Sequence, residues 1–224
     1  MNRFFAQKMI ENQLFFDSKT HKHFDVLRLV NKTFIAVFEG KFYECKLDSN
    51  YIGIIEREIE ENHEFDSQVI LAAAMIKIDR WEWMLEKAVE LGVTKIIPVI
   101  SEHVDGTLAK FKYYKKVDRF KEIIHSAAKQ SFRNVIPVLE EPQKIETVLN
   151  TEIEVKIIAH EKVTKNENNP YQIPGDKILL VGPEGGFSEK EVNLAISKGF
   201  FPVSLGKRIL RAETASMYML AQIK

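Results

Sequence analysis

A glycine-rich segment near the end of the sequence carries one acidic side chain at a point where chemistry is possible. The segment 182–186 reads "GPEGG", follows the apolar run "KILLV", and places Glu184 among three glycines. Glycines permit backbone angles that other residues resist and let a ligand lie against bare backbone. The spacing fits neither G-x-G-x-x-G nor a phosphate loop, which needs a following Lys-Ser or Lys-Thr pair. Because a carboxylate repels phosphate, the segment favours a phosphate-free ligand with hydroxyl groups or a positive charge.

A simple strand-to-helix turn is the alternative interpretation of this segment. Ser188 and Glu191 have the spacing of a capping box, in which each side chain bonds the backbone of the other. This spacing predicts that a helix begins here and ends near Gly199. On these residues alone, a ligand-binding loop and a plain turn both remain open.

A second segment, "VSLGKRILRAETA", repeats the arrangement of an apolar run, a glycine and a charged turn. Its charged and polar side chains crowd within eight positions: Lys207, Arg208, Arg211, Glu213 and Thr214. Solvated basic groups and a glutamate that complements a helix dipole would explain them without a ligand. Because Ile209 and Leu210 interrupt the charges, we expect this loop to have a buried side. Ligands of open α/β sheets bind beyond the carboxyl ends of strands, so the two turns could hold one small molecule.

The elements that must position these turns alternate from Val69 onward between apolar runs and amphipathic helices. The pattern predicts strands in 69–76, 93–100, 135–139, 155–160, 177–182 and 201–206, and helices in 80–92 and 118–130. Such alternation predicts an α/β domain with a largely parallel sheet. The first third is instead rich in Phe, Ile, Val and Tyr and is broken at short turns, which predicts several antiparallel strands in a small barrel.

Composition bounds the remaining possibilities. The chain has 224 residues, with 32 Lys and Arg against 32 Asp and Glu. No apolar run is long enough to cross a bilayer, and the single Cys45 fits inert core in a reducing compartment, so we expect a cytoplasmic protein without a membrane partner. The six histidines lack ligand spacing, which argues against a metal site. The segment from Lys110 to Arg133 contains eight basic residues and only two acidic ones. This excess of positive charge indicates either a solvated helix face or contact with nucleic acid.

Together, "LLVGPEGGFSEKEV" and "VSLGKRILRAETA" resemble the cofactor motifs of the ribosomal RNA small subunit methyltransferase E family, in the SPOUT (trefoil-knotted) superfamily. Further similarity lies at "RFF" (3–5), "HFDVLRL" (23–29), "EKAVELGVTKIIPVISEH" (86–103) and "QSFRNVIPVL" (130–139). The resemblance implies an RNA-binding PUA-like β-barrel in residues 1–68. It also implies a trefoil-knotted α/β methyltransferase domain in residues 69–224, which binds S-adenosylmethionine and forms a homodimer.

The family resemblance also implies a reaction, which is methylation of N3 of a uridine in the decoding region of 16S ribosomal RNA within the small ribosomal subunit. Residues that match the cofactor motif are Gly182, Pro183, Glu184, Gly185, Gly186, Leu205, Gly206, Ile209, Leu210 and Thr214. Arg211 is the expected cation near the uracil oxygens, with Glu213 as a base or as the group that orients it. The expected RNA contacts are Arg3, His23, Arg28, Lys116, Arg119 and Arg133.

Two residues depart from the family pattern. The family usually has an acidic residue where this chain has Lys129, and a glycine where it has Phe132. Three other functions stay open. The first is a SPOUT methyltransferase for another ribosomal or transfer RNA nucleotide, and the second is a non-catalytic RNA-binding or ribosome-assembly protein. The third is a dinucleotide-dependent oxidoreductase, although the sequence lacks the dinucleotide-binding motif.

Overall fold

The structure, a computed structural model, describes residues 2–107, 111–163 and 169–223. The chain forms two compact units. The first comprises residues 1–64 with 128–136, and the second comprises residues 65–127 with 137–224. The segment 128–136 therefore belongs with the start of the chain, although it is distant in sequence. Assignment of these units to a PUA-like domain and a SPOUT domain remains a prediction.

The first unit is built on a six-stranded sheet and one helix. Its elements are β1 (Arg3–Phe5), β2 (Lys8–Ile10), β3 (Gln13–Phe15), α1 (Ser18–Leu27), β4 (Thr33–Phe38), β5 (Lys41–Leu47) and β6 (Gly53–Ile59). The strand order is β1-β4-β5-β6-β3-β2. Four of the pairs are antiparallel, but β1 pairs with β4 in parallel. The sequence pattern predicted antiparallel strands in this region, but it missed the strands before residue 16, this parallel pair and the helix.

The two ends of this sheet are joined by the chain itself. Only Ala6 and Gln7 separate β1 from β2, which lie at opposite ends of the strand order. The Ala6 N–H donates to Val37 O at 2.8 Å, and the Gln7 N–H donates to Phe15 O at 2.8 Å. One continuous segment thus bonds to both β4 and β3. This pairing supports the predicted small barrel, whose PUA-like character stays a prediction.

The second unit contains the expected parallel sheet. Its strands are β7 (Val69–Ala74), β8 (Lys95–Ile100), β9 (Val138–Leu139), β10 (Gln143–Lys144), β11 (Val155–Ala159), β12 (Lys177–Val181) and β13 (Phe201–Val203). The order is β10-β8-β7-β12-β11-β13, with β9 also on β8, and every pair is parallel. The α/β fold with a parallel sheet is confirmed. Residues of β7 and β12 are buried throughout, as central strands covered on both faces require.

Helices complete the second unit. They are α2 (Ile78–Glu90), α3 (Val117–Gln130), α4 (Ile145–Leu149), α5 (Glu189–Ser197) and α6 (Ala212–Leu220), with a 3-10 helix at Pro170–Gln172. The last three residues of α3 belong to the first unit. None of the helices within the described residues is long and apolar enough to cross a membrane.

Cys45 offers a simple test of the first unit. The residue is fully buried, and burial raises the pKa of its thiol to about 12. We expect no reaction with a disulfide reagent at pH near 8 in the native protein, because only the thiolate reacts. In urea, one thiol should react quickly. Fast labelling without denaturant would show that the strands around Cys45 open readily.

Candidate functional site

A cleft of about 220 Å³ lies in the second unit where three neighbouring parallel strands end. The strands are β12, β11 and β13, which are adjacent in the sheet. The residues at and after their ends form three walls: first, residues 181–187 with Glu189; second, residues 204–210 with Ala212 and Ala215; third, residues 159–162. The cleft therefore occupies the edge at which open α/β sheets bind ligands.

The first wall is the "GPEGG" loop, a tight turn followed by a capped helix. The Gly186 N–H donates to Pro183 O at 2.9 Å, and Gly186 adopts a φ of 69° that glycine tolerates best. Ser188 and Glu191 form the predicted capping box at the start of α5. Glu191 also accepts from the Glu102 N–H at 2.8 Å. The predicted helix start is confirmed, and the same residues fix one wall of the cleft.

His103, which follows β8, supports this loop from one side. Its Nδ1 lies 3.0 Å from the carbonyl oxygen of Gly186. A Cβ added at Gly185 would lie 3.4 Å from the His103 Cβ, so the loop backbone and the histidine are in close contact. At Gly182, an added Cβ would meet Phe187 at 3.2 Å and the Gly186 backbone at 3.3 Å. Glycine at 182 therefore lets the loop fold back closely on itself.

The second wall is the loop after β13. Gly206 has a φ of 111°, which other residues rarely adopt, and its N–H donates to Ser204 Oγ at 3.4 Å. Leu210 is half-buried, but Ile209 is 86% exposed at the rim of the cleft. The prediction that this loop has a buried side is therefore wrong for Ile209, because the side chain of Ile209 points to solvent. An exposed isoleucine beside a cleft can be covered when a ligand binds.

The third wall was missed by sequence reasoning. His160, Glu161 and Lys162 directly follow β11 and line the cleft. Lys162 pairs with Glu189, and this hydrogen bond lowers the pKa of Glu189 and raises that of Lys162. Their position at the end of a predicted strand was the available signal for a binding site. No glycine motif marked that position.

The charged groups of the cleft are balanced. Its lining carries three carboxylates and three basic side chains: Glu161, Glu184 and Glu189, with Lys162, Lys207 and Arg208. Such a mixture suits a zwitterionic ligand better than a polyanion, since a phosphate group would meet carboxylates on two walls.

An arginine that the sequence analysis did not single out links the two cofactor motifs. Arg80, in the first turn of α2, lies with Nη1 3.2 Å from Glu184 Oε1 and with Nε 3.8 Å from Glu213 Oε1. Glu213 is buried, and its Oε2 has no hydrogen-bond partner among the described residues. A buried carboxylate without a nearby cation is costly, so Arg80 stabilises Glu213 while it holds Glu184 at the cleft.

Replacing Arg80 by methionine tests this link. We expect the free energy of unfolding to fall by about 1–3 kcal/mol, because Glu213 would lose its cation while staying buried. Urea denaturation measures the change. The matched control is Arg119→Met, whose partner Glu82 forms a more exposed pair that is worth at most about 1 kcal/mol. Equal losses in both variants would contradict a special role for Arg80. Adding Glu213→Gln to Arg80→Met should recover part of the loss.

The structure brings together most of the predicted cofactor residues. Nine of them line the cleft: Gly182, Pro183, Glu184, Gly185, Gly186, Leu205, Gly206, Ile209 and Leu210. Thr214, Arg211 and Glu213 are not among the described residues that line it. Arg211 is exposed and occupies the N-cap position of α6 without a side-chain capping bond, between two residues that do line the cleft. Within the described part of the chain, its guanidinium forms no ion pair, so a ligand next to the cleft could contact it.

Arg133 is buried in the first unit, where it pairs with a carboxylate. Its side chain is 3% exposed, and both its Nε and its Nη2 donate to the carboxylate of Glu64. Glu64 also accepts from the Asn134 N–H at 2.8 Å. This network secures the segment 128–136, so the buried Arg133 side chain has a structural role and is not exposed for RNA contact.

The two departures from the family pattern lie beside Arg3. Phe132 has a φ of 60°, a left-handed conformation for which glycine is the usual choice. The Arg3 guanidinium lies over the Phe132 ring, and its Nη1 donates to Lys129 O at 3.0 Å. Burial lowers the pKa of Lys129, whose ammonium lies over the Phe4 ring. The phenylalanine thus adds ring contacts where a glycine would have relieved backbone strain.

The other predicted RNA contacts lie at the surface of their units. His23 and Arg28 are exposed on the first unit, and Arg28 ends α1 with a φ of 51°. Lys116 and Arg119 are exposed on the second unit, with Arg119 bound to Glu82 at 2.7 Å. Lys110, the first residue of the basic segment, lies outside the described residues. Among the described residues, no group of His, Cys, Asp and Glu could hold a metal ion.

Comparisons with known proteins agree on one family. Residues 63–224 match the model of an RNA methyltransferase domain. The curated "Ribosomal RNA small subunit methyltransferase E" of Mesomycoplasma hyopneumoniae is 38% identical over 99% of this chain and 98% of its own length. The crystal structure of the enzyme of that name from Neisseria gonorrhoeae, bound to S-adenosyl methionine, is 30% identical, with a TM-score of 0.88 over 99% of this chain and 95% of that one. A Legionella pneumophila protein, whose structure also holds S-adenosylmethionine, is 31% identical, with a TM-score of 0.86 over 98% of this chain and 95% of that one.

Proposed function

Because this chain belongs to the ribosomal RNA small subunit methyltransferase E family, we propose that it transfers a methyl group from S-adenosylmethionine to N3 of a uridine in the decoding region of 16S ribosomal RNA. One observation carries the proposal. The two motifs that resemble the family's cofactor motifs meet in a single cleft at the carboxyl ends of β12 and β13.

The residues of the cleft fit S-adenosylmethionine chemically. The molecule has no phosphate, and it carries ribose hydroxyls, an adenine, a carboxylate and two positively charged groups. The glycine loops offer backbone donors and acceptors, and open space lies next to Gly186 and Gly206, where an added Cβ would meet no atom within 4 Å. The balanced charges of the lining match a zwitterion. When bound there, the cofactor supplies an electrophilic methyl group on a sulfonium.

The acceptor sets a separate requirement, because N3 of uridine carries a weakly acidic proton and is a poor nucleophile until that proton leaves. A catalyst must therefore remove the proton or stabilise the negative charge that develops on the uracil oxygens. We assign the second task to Arg211, which is exposed beside the cleft. Glu213 is buried and faces Arg80, which favours a positioning role for it over the role of base.

The finer parts of the proposal follow from the family. They are a trefoil knot and a homodimer in the second unit, a PUA-like barrel in the first, and a substrate within the small ribosomal subunit in the cytoplasm. For RNA contact we propose the exposed residues His23, Arg28, Lys116 and Arg119, with Arg3 beside Phe132. Phosphate contacts of this kind position an RNA, while an unstacked base supplies the specificity.

The decisive experiment is methyl transfer to small ribosomal subunits from a strain that lacks the modification. Nucleoside mass spectrometry should detect N3-methyluridine, and its position should map to the decoding region. A different methylated nucleoside would leave an S-adenosylmethionine-dependent methyltransferase with another target. Failure of calorimetry to detect cofactor binding would instead point to a non-catalytic RNA-binding protein.

A further inference from the structure

The segment 111–116, "FKYYKK", presents two aromatic rings to solvent within a helical turn. Phe111 is 63% exposed and Tyr114 is 51% exposed. The turn is held by backbone hydrogen bonds, with the Lys115 N–H donating to Phe111 O at 3.4 Å and the Lys116 N–H donating to Tyr113 O at 2.9 Å. Phe111 and Tyr114 therefore belong to one short exposed segment of the second unit.

Tyr113, between the exposed rings in sequence, anchors the turn to the second unit. It is 1% exposed, its hydroxyl donates to Glu140 O at 3.1 Å, and its ring packs 5.4 Å from that of Phe120. Tyr114 in turn packs edge-on against Tyr113 at 5.5 Å. Because the buried tyrosine fixes the turn, ligand binding would have little ordering cost to overcome at the exposed rings.

The charges around the rings identify the chemistry of a partner. Lys112, Lys115 and Lys116 are exposed within the same six residues, and no carboxylate occurs among them. Basic groups attract a phosphate backbone, whereas exposed aromatic faces bind any unstacked base. An acidic peptide would use the lysines but would not account for the two rings. A membrane interface can take both, but the match of residues 63–224 to an RNA methyltransferase domain favours RNA.

We propose that Phe111 and Tyr114 form a stacking platform for unpaired bases of a single-stranded RNA segment, while Lys112, Lys115 and Lys116 hold its phosphates. The proposal rests on the RNA methyltransferase function above and extends it from charge contacts to base contacts. The ring faces would recognise single-stranded RNA without sequence preference, and a continuous duplex would offer no free base face.

The test compares ring removal with ring exchange in the full-length chain. Phe111→Leu with Tyr114→Leu keeps apolar bulk but removes both aromatic faces. Phe111→Tyr with Tyr114→Phe keeps both faces and serves as the matched control. Fluorescence anisotropy with a short labelled oligouridylate should show a dissociation constant raised roughly fivefold or more for each ring removed, and an unchanged value for the exchange. Affinity for a blunt RNA duplex should change little in either variant.

The salt dependence of RNA affinity distinguishes the contribution of the rings from that of the lysines. Removing the rings should lower affinity at every salt concentration without changing the slope of log affinity against log salt. Lys112→Ala with Lys115→Ala should reduce that slope by about 0.7 for each lysine. Thermal unfolding of each variant checks that the chain remains folded.

Three results would overturn the stacking platform: no binding of the oligouridylate by the unaltered chain, equal affinity after ring removal, or a change in oligomeric state by light scattering, which would place the rings against a second copy. Cofactor binding by calorimetry reports separately on the proposed function. If the unaltered chain binds no S-adenosylmethionine but the ring variants lose RNA affinity, the methyltransferase function fails and the platform stands.

Discussion

Arg211→Ala is expected to lower kcat for methyl transfer by about 10²–10³-fold, the usual cost of losing a group that stabilises charge in the transition state. The uracil anion would lose its cation, whereas the cleft would keep its walls, because Arg211 is exposed and lies outside the cleft lining. We therefore expect S-adenosylmethionine to bind with unchanged affinity. Single-turnover methylation of small subunits and calorimetry measure the two quantities.

Two further variants make the Arg211 result specific. Arg211→Lys retains a positive charge but not the planar fork of donors, so it should recover only part of the lost rate. Lys198→Ala removes another exposed cation of the second unit, just after α5, and should leave the rate unchanged. Full activity of Arg211→Ala with normal cofactor binding would withdraw Arg211 from the mechanism. A loss of cofactor binding in that variant would move Arg211 from catalysis to the cofactor site.

The sequence predicted the parallel sheet because each central strand is an apolar run with no polar face. In β12, "KILLV", every residue is buried, including Lys177, whose ammonium reaches the carbonyl of Gly175. Local composition therefore determined which segments became strands. Ser188 with Glu191 was equally local, since a capping box lies within one helical turn.

Two features of the first unit were missed from the sequence, one despite a local signal and one because its partners are distant along the chain. Helix α1 has few apolar residues, and the signal for its start is Asp17, which accepts from the Thr20 N–H at 2.7 Å. The parallel pairing of β1 with β4 joins residues about thirty positions apart, which no periodicity encodes.

The candidate site shows the same division between local and distant information. Both glycine motifs were visible because they are contiguous. The ion pair of Arg80 with Glu184 joins residues 104 positions apart, and only the fold reveals it. Arg133 is the converse case, since a basic residue in a basic segment gives no sign that it will be buried against Glu64. Charge counting therefore located a basic surface but could not say which of its members face solvent.

Gly186→Leu is expected to weaken S-adenosylmethionine binding more than a hundredfold, since the new side chain would start in the open space beside the cleft wall. Its matched control is Gly199→Leu. Both glycines have positive φ, 69° at 186 and 85° at 199, and an added Cβ meets nothing within 4 Å at either position. Only Gly186 lines the cleft.

The comparison separates backbone strain from the loss of ligand space. Left-handed backbone costs a leucine about 1–2 kcal/mol at either position, so both variants should lose similar amounts of unfolding free energy in urea. Calorimetry should then show normal cofactor affinity for Gly199→Leu and none that is measurable for Gly186→Leu. Equal affinity in the two variants would mean that the cofactor does not lie against the "GPEGG" loop. Glu184 would then have only a structural role, which is its ion pair with Arg80.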